Sequence, residues 1–337
     1  MRGRTFRRSP RLAVVLGLIA LVVAGTAIAV APQRPYDLTF TAKSESEIQN
    51  IDVVRAWLKN YYGAPTAVAG TGATGTWNAE LNLSSNYAAE ARSVAEEGAK
   101  WLNAHKPRSG EKKAIVLDVD DTTLTTWNYE LFSNWIFDPC TNANFVGLTG
   151  PNACPAPPTA FTGNMFPATP GMLDLVNQAK ADGYAVFFLT GRGDAQHQAT
   201  IANLLSDTAA GFSDLTLVTY AGRTVPEIDA GYAAPTPINT GHPKLAPFTD
   251  GLFTKPATGT ATTPNQYPAY LDKPEFCAAS IASNSSCPTI RYKSGTRAYI
   301  ESQGYDIVAN FGDQFSDLEN GFADKTFKMP NPNYYLP

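Results

Sequence analysis

Lys113-Ala-Ile-Val-Leu-Asp118-Val-Asp120-Asp121-Thr122 carries the decisive pattern of this 337-residue chain. The apolar run Ala114 to Leu117, lengthened by the stem of Lys113, has the length and composition of a buried strand. Three carboxylates follow it within four positions. In an open α/β sheet, residues just past the carboxyl end of a strand line the crevice where ligands bind. Acids crowded this closely repel one another, and a hard cation or a transferred proton relieves the charge. The run therefore predicts metal-assisted chemistry on an oxygen-rich substrate.

Outward from this stretch, strands and helices alternate. Met172 to Ala181 reads as a helix ended by Gly183, and Tyr184 to Leu189 as a second buried strand. Asp194 to Ala209 reads as a helix, Asp214 to Tyr220 as a third strand, Lys293 to Gln303 as a helix stopped by Gly304, and Tyr305 to Asn310 as a fourth strand. Such alternation predicts an α/β fold of three layers, a mostly parallel sheet with helices on both faces. Two helices precede it. The first follows Ser44 and Glu47, spaced as a capping box, and carries Ile51, Val54, Leu58 and Tyr61 at helical spacing. The second runs from about Ser85 to Ala104. Two long segments, Thr123 to Thr169 and Thr224 to Thr289, interrupt the pattern and read as loop or cap insertions.

The N-terminus has its own logic. Arg2, Arg4, Arg7, Arg8 and Arg11 precede an apolar stretch from Leu12 to Ala31, with Ala27-Ile28-Ala29 as a small-x-small cleavage pattern. This reads as a secretory signal over residues 1–29, with an uncleaved anchor as the alternative. Arg7-Arg8 admits a twin-arginine route. The formal charge is -4, and the remainder without those arginines is more acidic still, which argues against a nucleic-acid polymer as partner. Cys140, Cys154, Cys277 and Cys287 allow three pairings. The two local ones, Cys140–Cys154 and Cys277–Cys287, are favoured, because each would staple a Pro-rich loop. The absence of CxxC and the scatter of His105, His197 and His242 disfavour zinc. Export predicts a secreted or extracytoplasmic protein, at the cell surface if the N-terminal segment stays as an anchor.

Parallel strands share one carboxyl edge, so Asp118, Asp120, Thr190 and Asp313 are expected to converge although they lie far apart in sequence. Thr190-Gly191-Arg192 follows the second strand, Gly312-Asp313-Gln-Phe-Ser-Asp317 follows the fourth, and Lys293-Ser294 opens a helix at the same edge. These groups suit phosphoryl transfer. One carboxylate attacks phosphorus, a second exchanges protons, a hydroxyl and an ammonium hold phosphate oxygens, and Mg²⁺ offsets the repulsion between anions. An EF-hand calcium loop is excluded by Thr123 and Tyr129 at its glycine and glutamate positions. A GxxxxGK[ST] loop is absent. Arg192 reads as a contact to phosphate or, preferably, a pin for its own loop. Trp127 and Tyr129 could stack on an aromatic leaving group or pack the rim. Asp121 reads as a bystander in the turn.

Asp118-Val-Asp120-Asp-Thr122, Thr190-Gly-Arg, Tyr292-Lys293-Ser294 and Gly312-Asp313-Gln-Phe-Ser-Asp317-Leu resemble the four motifs of the haloacid dehalogenase superfamily. Within it, the chain is similar to the class B-type (subfamily IIIB) acid phosphatases and vegetative storage proteins. The tail Thr326-Phe-Lys-Met-Pro-Asn-Pro-Asn-Tyr-Tyr shares that likeness. The resemblance places one phosphatase domain over residues 44–337 and implies an exported Mg²⁺-dependent acid phosphatase acting on small phosphomonoesters through an aspartyl phosphate. It implies Asp118 as nucleophile and metal ligand, and Asp120 as general acid/base with its backbone carbonyl on the metal. Thr190, Gly191 and Lys293 would bind phosphate and Asp313 would complete the protein ligands. Asp317 would bind the metal weakly, orient its water or merely cap a helix. A storage or phosphate-binding protein with little turnover, and a phosphotransferase, are the alternatives.

Overall fold

Ile115 and Leu117 pack on one side of the central strand, and Ala114 and Val116 on the other; all four are buried. Period-two alternation with no polar face means helices cover both sides of the sheet. The computed structural model describes residues 50–63, 81–105, 108, 110–139, 142, 166–205, 219–220, 223–224, 232, 236, 251–260, 262–265 and 267–336. All of them belong to the unit Gln49–Pro337. The N-terminal segment 1–31, the capping box at Ser44 and the Cys140–Cys154 pairing lie outside the described residues. Among the described residues, no helix is long and apolar enough to cross a membrane.

The sheet has the order β5-β2-β1-β6-β7 and all its pairings are parallel. Its strands are β1 (Lys112–Leu117), β2 (Ala185–Gly193), β5 (Leu252–Lys255), β6 (Tyr305–Gly312) and β7 (Thr326–Lys328). On one face lie α2 (Asn86–Ala104) and α4 (Met172–Ala181), whose buried side chains join Ile115, Leu117, Val186 and Phe188 in one apolar cluster, with Tyr61 of α1 (Ile51–Tyr61) packed against it. Gly98 of α2 is the point of closest approach, since a Cβ there would stand 2.6 Å from the Phe311 ring. The other face is covered by α7 (Thr289–Ser302), with Tyr292, Tyr299 and Ile300 packed on Ala114, Val116, Phe187 and Ile307. Cys277 and Cys287 are bridged, with Cα atoms 5.3 Å apart, and are buried against the same face. The bridge closes the loop that carries α6 (Ala278–Ala282).

Several boundaries differ from the sequence reading. Of the expected strand Asp214 to Tyr220, residues 214–218 lie outside the described residues. The rest, β3 (Thr219–Tyr220), pairs antiparallel with β4 (Arg223–Thr224), apart from the main sheet. Its place beside β2 is taken by β5, from within the segment read as an insertion. Four residues in Pro- and Thr-rich surroundings give too short a pattern to find. The helix expected from Lys293 starts at Thr289 after Pro288, whose fixed φ and missing N–H suit a helix start. The helix expected from Asp194 to Ala209 is a 3₁₀ turn, Asp194–Gln196, followed by α5 (His197–Leu204) and extended Leu205. The first helix is capped by Asn50, whose side chain accepts from the Asp52 N–H at 2.8 Å. Further elements without a counterpart in the sequence reading include α3 (Trp127–Ser133), α6 and the edge strand β7.

Candidate active site

Strand β1 ends at Leu117, so Asp118 is delivered to the carboxyl edge with its backbone still bound to β6, Asp118 N–H donating to the Phe311 carbonyl at 3.0 Å. β6 delivers Asp313 to the same edge, and the short helix α8 (Phe315–Leu318) delivers Asp317. Gly312 makes this juxtaposition sterically feasible: a Cβ there would lie 2.3 Å from the Cβ of Asp317. The carboxylates of Asp118, Asp313 and Asp317 each offer an oxygen, all within 4.8 Å of one another, and all three residues are buried.

Lys293 reaches this group from the second turn of α7, not from a helix terminus. Its ammonium donates to Asp118 Oδ1 and Asp317 Oδ1, each at 2.5 Å. Burial by itself would lower the Lys293 pKa, but the two carboxylates more than offset it and hold the ammonium charged. Asp118 is shifted the other way: burial first, then repulsion from Asp317, raise it despite Lys293. Burial and Asp317 likewise push Asp313 up to about 7. Asp313 Oδ2 accepts from Gln314 Nε2 at 2.6 Å and Asn331 Nδ2 at 2.7 Å, and its Oδ1 accepts from Thr122 at 3.2 Å. Of the roles open to Asp317 in the sequence, the helix cap is observed. It faces Lys293, and its Oδ2 accepts from the Gln314 N–H in a capping box of α8.

Asp120 stands apart from the three-carboxylate group. Arg192 grips it with two parallel hydrogen bonds, Nε to Oδ2 at 2.9 Å and Nη2 to Oδ1 at 2.6 Å. Nη1 of the same guanidinium donates to Thr200 at 2.9 Å. Arg192 thus pins a carboxylate rather than its own loop, a pairing invisible in sequence because 72 residues separate the partners. Asp121 is no solvated bystander. It is fully buried at φ +49°, and burial pushes it up to about 6 while it accepts from the N–H and hydroxyl of Thr126.

A cavity of about 490 Å³ exposes Asp118, Asp120, Gly191, Lys293, Asp313 and Asp317 on one surface. Thr190 is buried beside it, its hydroxyl oxygen accepting from the Arg192 N–H at 3.1 Å. Trp127 is core rather than rim, stacked on Tyr62 at 4.2 Å, whereas Tyr129 does line the cavity. The sequence reading also missed Glu130, Gln314, Asn331 and Tyr334; Glu130, Gln314 and Tyr334 line the cavity, and Asn331 holds Asp313 from the C-terminal tail. A second group of acids and a histidine, His105, Asp306 and Asp324, is bridged by Arg108.

Acids past the central strand of a parallel five-stranded sheet, with a lysine from a flanking helix, define an α/β protein of the haloacid dehalogenase type. Comparison with known proteins narrows this. The family model of the haloacid dehalogenase superfamily, subfamily IIIB (acid phosphatase), matches residues 73–225 and 272–337, and the chain belongs to this family. The internal unmatched stretch, 226–271, falls inside the Pro- and Thr-rich segment that supplies β5. Over 261 residues the chain is 23% identical to acid phosphatase 1 of Solanum lycopersicum, covering 76% of this chain and 72% of that protein. A 53-residue stretch is 43% identical to vegetative storage protein 2 of Arabidopsis thaliana, spanning only 20% of that protein's length. Among solved structures, the class C acid phosphatase from Bacillus anthracis aligns with a TM-score of 0.40 and 18% identity, over 74% of this chain and 80% of that one.

Proposed function

We propose that this chain is an exported, Mg²⁺-dependent phosphomonoesterase that works through an aspartyl phosphate on Asp118. The observation that carries the reading is the meeting of Asp118, Asp313, Asp317 and Lys293 on one cavity surface, with Asp120 beside them. Lys293 pairs with two of the three buried carboxylates, Asp118 and Asp317, and the group keeps an excess of negative charge where burial makes charge costly. An all-oxygen donor set of this kind fits a hard divalent cation, and Mg²⁺ is the one commonly held by one or two carboxylates plus phosphate oxygens. Asp118 and Asp313 would hold it with the Asp120 carbonyl, Asp317 assisting. When bound, it would neutralise phosphate charge and polarise the P–O bonds.

The residues divide the rest of the work. Lys293 occupies Asp118 Oδ1 and leaves the other oxygen to attack phosphorus. As that P–O bond forms, the bond to the leaving group breaks and Asp120 gives its proton to the departing oxygen. Asp120, now a carboxylate, takes a proton from water as the water oxygen attacks phosphorus. The bond to Asp118 then breaks and inorganic phosphate leaves. For Asp120 to carry a proton, one of its oxygens must turn away from Arg192, so the observed grip is the resting arrangement. Gly191, Thr190 and Lys293 would bind the non-bridging oxygens.

Export rests on the Arg-rich start followed by the apolar stretch Leu12 to Ala31, together with the Cys277–Cys287 bridge, which suits an oxidising compartment. Partial likeness to vegetative storage proteins supports a second reading, a storage or phosphate-binding protein with little turnover. Hydrolysis of an aryl phosphate with Mg²⁺, lost in EDTA and in a folded Asp118→Asn variant, is the expected result. Equal turnover by that variant would remove Asp118 from its role, and no turnover by the native protein at any pH would favour storage.

A further inference from the structure

We propose that Glu130 makes the leaving-group wall of the cavity a site for a positively charged nitrogen, so that the preferred substrates are phosphomonoesters of cationic alcohols. This rests on the phosphomonoesterase reading and names its substrate class. Glu130 sits in α3, lines the same cavity as Asp120, and is only 8% exposed. Its backbone is accounted for, with the N–H donating to the Thr126 carbonyl and the carbonyl accepting from the Trp135 N–H. Among the described residues its carboxylate has no hydrogen-bond or ion-pair partner. A buried, unpaired carboxylate is costly and needs a reason.

The surroundings supply the reason. The charges that act on Glu130 are those of Asp121 and Asp120, both acids, which together with the larger effect of burial push it up to about 8. The Arg192 guanidinium, which lines the same cavity, is committed to Asp120 and Thr200. Glu130 lines the same cavity as Asp120, the group that would protonate the departing oxygen, and is carried there by α3 rather than by the strand ends that bear Asp118 and Asp313. The leaving group emerges there. Tyr129, Trp135, Phe137 and Tyr335 line the same cavity and offer aromatic faces. Trp135 already accepts an ammonium, that of Lys59, 5.9 Å from its ring centroid. A carboxylate among aromatic rings is the environment that binds alkylammonium groups. A cationic leaving group lets Glu130 lose its proton to solvent and pair as a carboxylate, whereas a neutral one leaves it protonated.

The test compares kcat/KM for choline phosphate with that for its neutral isostere, 3,3-dimethylbutyl phosphate, with p-nitrophenyl phosphate as the reference substrate. Native protein is expected to favour choline phosphate by about tenfold or more, the size of a charge-assisted contact plus a cation–π contact. In Glu130→Gln the ratio should fall to within about threefold of unity, while Glu130→Asp, which keeps the charge, should retain the preference. Equal rates for the two esters in native protein, a preference that survives Glu130→Gln, or its loss in Glu130→Asp would each overturn the inference while p-nitrophenyl phosphate is still hydrolysed. Failure to hydrolyse any of the three would overturn the phosphomonoesterase reading, and this inference with it.

Discussion

Replacing Lys293 by Met removes the one ammonium that Asp118 and Asp317 share and keeps the length and apolar stem of the side chain. Each carboxylate loses a contact of 2.5 Å in a setting where Lys293 is 3% exposed and Asp118 7%. Breaking a buried pair by deleting one partner costs about 3–5 kcal/mol. The protein has an escape, which is to bind a proton instead. For an aspartate starting from 3.8, being protonated at pH 7 costs about 4 kcal/mol at 1.36 kcal/mol per pH unit, so the two routes come out alike. The sign of the pH dependence follows. Without Lys293 the folded protein holds a proton on Asp118 that the unfolded chain has already lost, so stability falls as pH rises above the unfolded value near 4 and levels off above the raised folded pKa. The melting temperature of Lys293→Met in EDTA should lie about 10 °C below native at pH 7, with a much smaller gap at pH 4. Mg²⁺ should restore part of the loss at pH 7, since a cation can take the place of the ammonium. A gap that widens toward pH 4, or no gap at pH 7, would refute the charge argument.

Three further outcomes follow from the geometry. Gly312→Ala puts a Cβ 2.3 Å from Asp317 Cβ, so it should cost about 1–3 kcal/mol by overpacking and lower kcat more than ten times; native-like turnover would show that the Asp317 position does not matter. Arg192→Lys removes the two parallel hydrogen bonds to Asp120, so kcat should fall by about 10²-fold, the lower range for general acid–base help, with KM less changed, whereas a pure KM effect would mark Arg192 as a phosphate ligand. Cys277→Ser/Cys287→Ser opens a loop of sequence separation 10, and denaturant titration should register a loss of about 3 kcal/mol; an unchanged midpoint would show that the bridge does not stabilise the fold.

The fold was legible where patterns are local. The buried strands at Ala114, Tyr184 and Tyr305 carry dense apolar runs, and their last residues announced the acids. β5 was not legible, because Leu252–Lys255 is four residues long and becomes a strand only by pairing with Phe188 and Leu189. The start of α7 was misplaced because Thr289 and Ile290 resemble loop residues until Pro288 fixes the turn before them. Arg192, Glu130 and Asn331 were missed or misread for a common reason. Each acquires its role from a partner or a cavity that no local periodicity encodes.

The sequence by itself determined the kinds of groups and the edge to which they go. The unbroken apolar run of β1 requires helices on both faces, and a parallel sheet puts Asp118 and Asp313 at one end. Tertiary structure decided which charges meet: Lys293 finds Asp118 across 175 residues, Arg192 takes Asp120, and among the described residues Glu130 has no counter-ion. Pairing of this kind depends on distances of a few ångströms between elements, and these are set only when the two apolar faces of the sheet have packed.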